Sequence, residues 1–304
     1  MAAGSEKAVV AAMAANASIA VAKFFGFFMT GAASMLAEGV HSVADSGNQA
    51  LLLWGGRAAR REPDERRPFG YGRERYFWAF VVALILFTLG GVYAMYEGIE
   101  KLLHPHAIEQ AGWAIGILAV GVVLETGSFL IAFKESKKVK GQASWWDFIR
   151  LTKSPELPTV LLEDIGALLG LVFALIGVTL AATTGEARFD AMGSIAIGVL
   201  LIAIAVILAI EMRSLLIGEA AAAGVDTRII SLVKQSPQVE QVFALRTQHL
   251  GPDDLLIGIK AEFPDSMTFS EIAREIDAIE ARLREELPAA RFIYVEPACA
   301  KPKT

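Results

Sequence analysis

The sequence predicts a membrane-embedded all-α bundle of six helices followed by a small α+β domain. Three features predict it. Six stretches are each long and apolar enough to cross a bilayer, two loops between them are crowded with basic side chains, and the chain turns charged and alternating after residue 216. The composition agrees: 54% of the 304 residues are hydrophobic and 20% are charged, against about a quarter charged in an ordinary soluble domain. The single cysteine, Cys299, excludes an internal disulfide framework and a multi-thiolate zinc site.

A helical crossing takes about 20 mostly apolar residues. The six stretches run over 9–29, 32–54, 76–96, 113–133, 160–183 and 191–210. The first begins close to Met1 without a small-residue cleavage site and is read as a retained helix. Between the second and third, residues 57–75 carry Arg57, Arg60, Arg61, Arg66, Arg67, Arg73 and Arg75. Between the fourth and fifth, residues 134–153 carry Lys134, Lys137, Lys138, Lys140, Arg150 and Lys153. The turn between the first two helices is uncharged, and the loop after the third holds Lys101 among Glu97, Glu100 and Glu109. Basic loops stay in the cytoplasm. The expected arrangement is therefore a multi-pass protein of the cell (inner or plasma) membrane with both termini cytoplasmic. Trp145 and Trp146 mark a stretch at the membrane interface, and Pro155 and Pro158 mark the turn into the fifth helix.

Domain boundaries are expected at 1–216 for the bundle and 217–304 for a cytoplasmic domain. The second reads as helix 226–235, strands 239–248 and 255–263, helix 270–287 and strand 291–295, an α-β-β-α-β, ferredoxin-like order. Thr268 and Glu271 have capping-box spacing, and Ile272, Ile276, Ile279, Leu283 and Leu287 form one apolar stripe. A unit this small gains from dimerisation.

The chemistry lies where polar residues interrupt the spans. Glu38, His41, Asp45 and Asn48 fall within an arc of about 80° on the second helix, at 100° per residue. A carboxylate in hydrocarbon is costly unless paired, neutralised or hydrated, so one stripe of such groups reads as a cation-binding face; its alternative is a polar interhelical contact. On the fifth helix Glu163 and Asp164 are adjacent and 100° apart, so on an ideal helix they cannot both point squarely at one ion. Asp164 is read as facing the site and Glu163 as turned toward another helix, with a structural or proton-handling role. Glu125, at the middle of the fourth helix, either faces the same cavity or bonds to Thr126 and Ser128. Lys23 either neutralises an acid or snorkels to the interface. His104 and His106 read as solvated loop residues, and His249, near Asp253 and Asp254, as a lone histidine at a strand end.

These residues resemble the cation diffusion facilitator family. The most specific stretch is His41-Ser42-Val43-Ala44-Asp45, similar to the family's H-S-x-x-D motif. Pro68-Phe69-Gly70-Tyr71-Gly72-Arg73 through Arg75, and Phe189-Asp190-Ala191-Met192-Gly193-Ser194, resemble its usual lead-ins to the third and sixth helices. The resemblance implies a homodimeric secondary active transporter, not an enzyme, that exports divalent metal from the cytoplasm in exchange for protons. The same resemblance implies neither a prosthetic group nor a nucleic-acid partner. His41, Asp45 and Asp164 match three of the family's four ligand positions; the fourth is Val160. The run Leu161-Leu162-Glu163-Asp164, with Glu38 and Glu125, is similar to the branch containing the animal mitochondrial zinc transporter. By that likeness Glu38 or Glu163 completes the shell, with Glu125 and Asn48 as accessory groups. Zinc is the expected cargo. Manganese or iron(II) is the alternative suggested by one imidazole among carboxylates, and cobalt and cadmium are further candidates. Lys260 and Tyr294 stand where many relatives carry zinc-binding histidines, which leaves dimerisation as the soluble domain's expected role. A non-transporting sensor with the same fold is the remaining alternative.

Overall fold

The structure, a computed structural model, describes residues 3–106, 108 and 110–298, with side chains from Asn16 onward. Six long helical elements are present among them: α1 (Ala3–Thr30), α2 (Ala33–Ala58), a third rod, α5 (Ala111–Lys140), α7 (Glu156–Thr184) and α8 (Arg188–Ile217). The third rod joins α3 (Glu74–Ile85), a π-helical stretch (Leu86–Val92) and α4 (Tyr93–Leu103). The runs Glu74–Leu103, Ala111–Lys140, Glu156–Thr184 and Arg188–Ile217 are long and apolar enough to cross a membrane. The stripe of Glu38, His41, Asp45 and Asn48 makes α2 more polar than these. The short α6 (Trp145–Leu151) starts at Ser144, whose hydroxyl accepts the Asp147 N–H at 3.0 Å, and Trp145 stacks on Phe133 at 4.7 Å.

The chain forms two compact units. One is the chain up to Gly56 with Phe77–Met212; the other is Arg57–Tyr76 with the chain from Arg213 onward. The core of the first gathers Met35, Leu86, Leu118, Leu171, Ile197 and Leu201. Small residues let α8 lie backbone to backbone on the third rod: a Cβ on Gly198 would stand 2.7 Å from the Met95 nitrogen, and one on Gly91 2.5 Å from an Ile202 side-chain carbon.

Lys101 requires a correction. Placed in a loop by its acidic neighbours, it lies inside α4 and is buried. Its Nζ stands 3.1 Å from Asp190 Oδ2 and donates to the Gly31 carbonyl at 2.6 Å. Asp190, near the start of α8, also accepts the backbone N–H groups of Ala33 (2.8 Å) and Ser34 (3.3 Å) and the Ser34 hydroxyl. A carboxylate on loose donors at a helix N-terminus is a cap, here supplied from another helix. The span runs on to Leu103 because Glu97 and Glu100 line a helix end rather than a loop.

In the second unit α9 (Val225–Val233), β1 (Gln241–Gly251), β2 (Asp254–Glu262), α10 (Phe269–Glu286) and β3 (Ala290–Ala298) follow in the expected order. β1 pairs antiparallel with β2 (Leu245 with Ile259), and β2 parallel with β3 (Ile257 with Ile293). Both helices bury one face on the sheet through Ile229, Leu232, Ile257, Ile259, Ile279 and Leu283. The 57–76 loop belongs to this unit: Phe69 meets Phe292 edge-on at 5.2 Å and Arg75 pairs with Asp253 at 3.0 Å. Gly72 approaches Gly251 so closely that a Cβ would lie 2.9 Å from the Leu250 carbonyl. The Tyr71 hydroxyl, then the Arg67 N–H, hold the Asp64 carboxyl below its usual range.

Thr268 donates its N–H to Glu271 at 2.7 Å, completing that half of the capping box. This bond, then the Thr268 hydroxyl, holds Glu271 below its ordinary 4.5. A depressed folded-state value stabilises above the unfolded one and is lost as pH falls through it. Calorimetry of Glu271→Ala against the parent should therefore show a deficit at pH 7 that closes on acidification below 4.5. Asp190→Ala leaves Lys101 buried and uncapped donors on α2. It should destabilise the bundle by about 3–5 kcal/mol, read as a fall in melting temperature in detergent.

Candidate functional site

The polar stripe of α2 faces inward along its length: Glu38, His41, Ser42, Asp45 and Asn48 are all buried. Helical spacing puts His41 and Asp45 one turn apart, with Nε2 3.5 Å from Asp45 Oδ2. Both imidazole nitrogens and Asp45 Oδ1 have no hydrogen-bond partner among the described residues. Buried polar atoms are nearly always satisfied, so unmet groups on adjacent ligating side chains mark a place built for something other than packing. His41 Nδ1 faces the π-helical stretch, where a Cβ on Gly90 would stand 3.8 Å away. A π turn inside an α-helix is frequent at functional sites. Nothing in the local sequence signalled it apart from the pair Gly90-Gly91.

The acids of α7 are both buried but face different helices, as adjacency requires. Glu163 turns to α2, where its Oε1 accepts the Asn48 amide at 2.8 Å. Asp164 turns to α5, where Ser128 Oγ donates to it at 3.4 Å. Thr126 bonds its own helix at the Val122 carbonyl (2.6 Å). Neither hydroxyl is spent on Glu125, which is buried and whose charge acts on Glu38, Asp45 and Asp164. Asp45 also feels Glu163, Asp164 and Lys23. The acids of α2, α5 and α7 thus share one electrostatic neighbourhood. They do not touch: among the described residues no three His, Cys, Asp or Glu side chains stand close enough to hold an ion.

Lys23 on α1 is buried, so its ammonium does not reach an interface. It forms an ion pair with Glu38 at 2.9 Å and donates to Ser42 at 2.8 Å. Val160, one turn before Asp164, is half-buried and supplies no donor atom. Elsewhere, His104 is exposed beside Glu100 (3.6 Å) and His106 is exposed. His249 is buried, with Nδ1 3.2 Å from the Gly251 carbonyl. Lys260 pairs with Glu296 at 2.6 Å. Sequence reasoning undervalued Lys23 and missed the Lys101–Asp190 pair. An intramembrane charge without an obvious partner was the available signal for both.

Comparison with known proteins matches two successive stretches of the chain. Residues 9–217 match the cation efflux transmembrane domain, and residues 225–298 match the cation efflux protein cytoplasmic domain. The chain is similar to the mitochondrial proton-coupled zinc antiporter SLC30A9 of Xenopus laevis, at 32% identity across 86% of this chain and 47% of that protein. The human counterpart is 29% identical across 93% of this chain and 52% of its own length. Magnetosome protein MamB of Magnetospira is 24% identical across 88% of this chain and 86% of its own. The chain spans about half the length of the zinc antiporters it matches.

Asn48→Leu removes the donor that Glu163 uses and leaves a buried carboxylate unbonded. It should lower stability by about 1–3 kcal/mol in detergent melts, and Asn48→Gln should recover part of the loss.

Proposed function

The chain belongs to the cation efflux family, and we propose that it carries a divalent metal cation, zinc first, across a membrane in exchange for protons. The single observation that carries this reading is the pair His41–Asp45. It combines an imidazole and a carboxylate, buried one turn apart, with unmet polar atoms and four further charges in electrostatic reach. Zinc takes imidazole nitrogen and carboxylate oxygen readily. We assign His41, Asp45 and Asp164 as ligands, with Glu163 or Glu38 as the group that completes the shell and Glu125 and Asn48 as accessory residues. The names of the similar antiporters support zinc and proton coupling.

Ligands on α2 and α7 that lie apart here come together on the ion by relative movement of these helices, and separate as it leaves. Protons compete with metal for the same imidazole and carboxylates, so affinity rises with pH and falls as protons return. That competition is the coupling. The donor set, one imidazole among carboxylates with an apolar Val160 in the fourth position, favours manganese or iron(II) as the second reading. The basic loops favour cytoplasmic termini in a cell membrane, and family matches that end at 217 and begin at 225 support a domain boundary at 216/217. The match of residues 225–298 to a family domain of dimeric type supports a homodimer.

Zinc uptake into proteoliposomes, followed with a trapped pH dye, tests the reading. The parent should move zinc and protons in opposite directions, with a lower KM at higher pH. Asp45→Ala and Asp164→Ala should lower zinc flux by about 10–100-fold or more while keeping the parent's elution profile and melting temperature. Flux at parental rates in either variant refutes the site. Zinc binding without any flux in the parent identifies a sensor, and a larger flux of manganese or iron(II) reassigns the cargo.

A further inference from the structure

The likeness to the mitochondrial branch offers Glu38 as a group that completes the shell, yet its contacts set it apart. Its Oε2 is held by Lys23 Nζ at 2.9 Å, and the same ammonium donates to Ser42 at 2.8 Å. Both members of the ion pair are buried, at 1% and 0% exposure, so water does not screen it. The other oxygen, Oε1, has no hydrogen-bond partner and presses on α7 at Gly170, where a Cβ would come within 2.4 Å of it. A side chain at 170 would have to displace the carboxylate from that position. Lys23 also acts electrostatically on His41, Asp45 and Glu125. Among the described residues it is the one cation that does so.

An ammonium has no lone pair and cannot ligate, and it repels a divalent ion over the distances of a single site. A carboxylate bonded to it is also unavailable as a ligand unless the pair separates. We propose that Lys23 is a resident, tethered cation of the transport site, which holds Glu38 out of the metal's coordination shell and keeps the ion bound weakly enough to leave. Ser42, the second letter of the His41-Ser42-x-x-Asp45 motif, fixes the ammonium in that position. Lys23 is thus a positioning residue that acts through Glu38. The inference rests on the transport reading and deepens it: conduction needs an ion site favourable enough to fill and weak enough to empty, and a fixed positive charge beside several acids sets that balance.

The test uses the full chain as the parent and as Lys23→Met, Lys23→Arg, Glu38→Gln and the double variant Lys23→Met/Glu38→Gln. Zinc affinity is measured in detergent by competition with a zinc-chelating dye, and KM and kcat are measured in proteoliposomes. Lys23→Met should bind zinc about tenfold tighter, with KM lowered and kcat lowered by slow release. Lys23→Arg keeps the charge and should stay nearer the parent than Lys23→Met does. Glu38→Gln leaves the ammonium unbalanced and should weaken binding, and adding Lys23→Met to it should restore affinity toward the parent. The last comparison decides the matter even where Lys23→Met alone fails to fold. A Lys23→Met protein with parental affinity and KM overturns the proposal. So does a double variant no better than Glu38→Gln, because Glu38 is then a ligand rather than a partner of Lys23. Neither result touches the transport reading, which stands or falls on zinc flux in the parent and in Asp45→Ala.

Discussion

The bundle is organised by the difficulty of keeping charge inside it. Glu38, Asp45, Glu125, Glu163 and Asp164 are all buried, and an isolated carboxylate in a low-dielectric interior is too unfavourable to persist without partners. Four of the five therefore have a group from another helix or their own beside them: Lys23 of α1 by Glu38, His41 by Asp45, Asn48 by Glu163 and Ser128 by Asp164. These bonds tie α1, α2, α5 and α7 around one polar seam. The apolar surfaces of Leu118, Leu171, Ile197 and Leu201 close around it.

Two buried polar groupings on α2 obey this constraint to different degrees, and the difference separates structure from function. At the start of α2, Asp190 receives the donors of Ala33, Ser34 and Lys101, and Lys101 spends a further bond on Gly31. A network so complete rigidifies the place it occupies. About 10 Å further along the helix, at 1.5 Å per residue, His41 and Asp45 keep polar atoms unmet. Packing has no use for that arrangement. A cargo that exchanges with protons does, since its ligands have to be open to it in one state and to protons in another.

Much of this was legible in the sequence because it follows from periodicity. Glu38, His41, Asp45 and Asn48 recur at helical spacing, and that alone predicts one inward face, which the burial of all four bears out. The stripe of α10 and the Thr268–Glu271 cap are equally local and equally readable. Facts that depend on a neighbouring helix were not readable. Adjacency on a helix fixes 100° between Glu163 and Asp164 but not which of them bonds to α2, and it is Glu163 that does. Lys101 looked like a loop charge because its partner Asp190 is far along the chain. Lys23 balanced between two readings for the same reason, and only the presence of Glu38 and Ser42 beside it decides in favour of pairing.

The third rod closes the reasoning about His41. Its π-helical stretch sets Gly90, which has no side chain, near the imidazole, with Leu86 and, from α8, Leu201 on the same side of that glycine. A residue with a Cβ at 90 would crowd Leu201 at 3.2 Å before it reached the ring. At Gly90 the surface near Nδ1 is thus backbone and aliphatic carbon, with no donor or acceptor side chain. In the proposed transport cycle Nδ1 is then left to a proton or a metal ion, while Nε2 stands 3.5 Å from Asp45 Oδ2. Exchange between these two is what the proposed antiport requires, and a wall of this kind, by refusing a third, keeps the exchange between them.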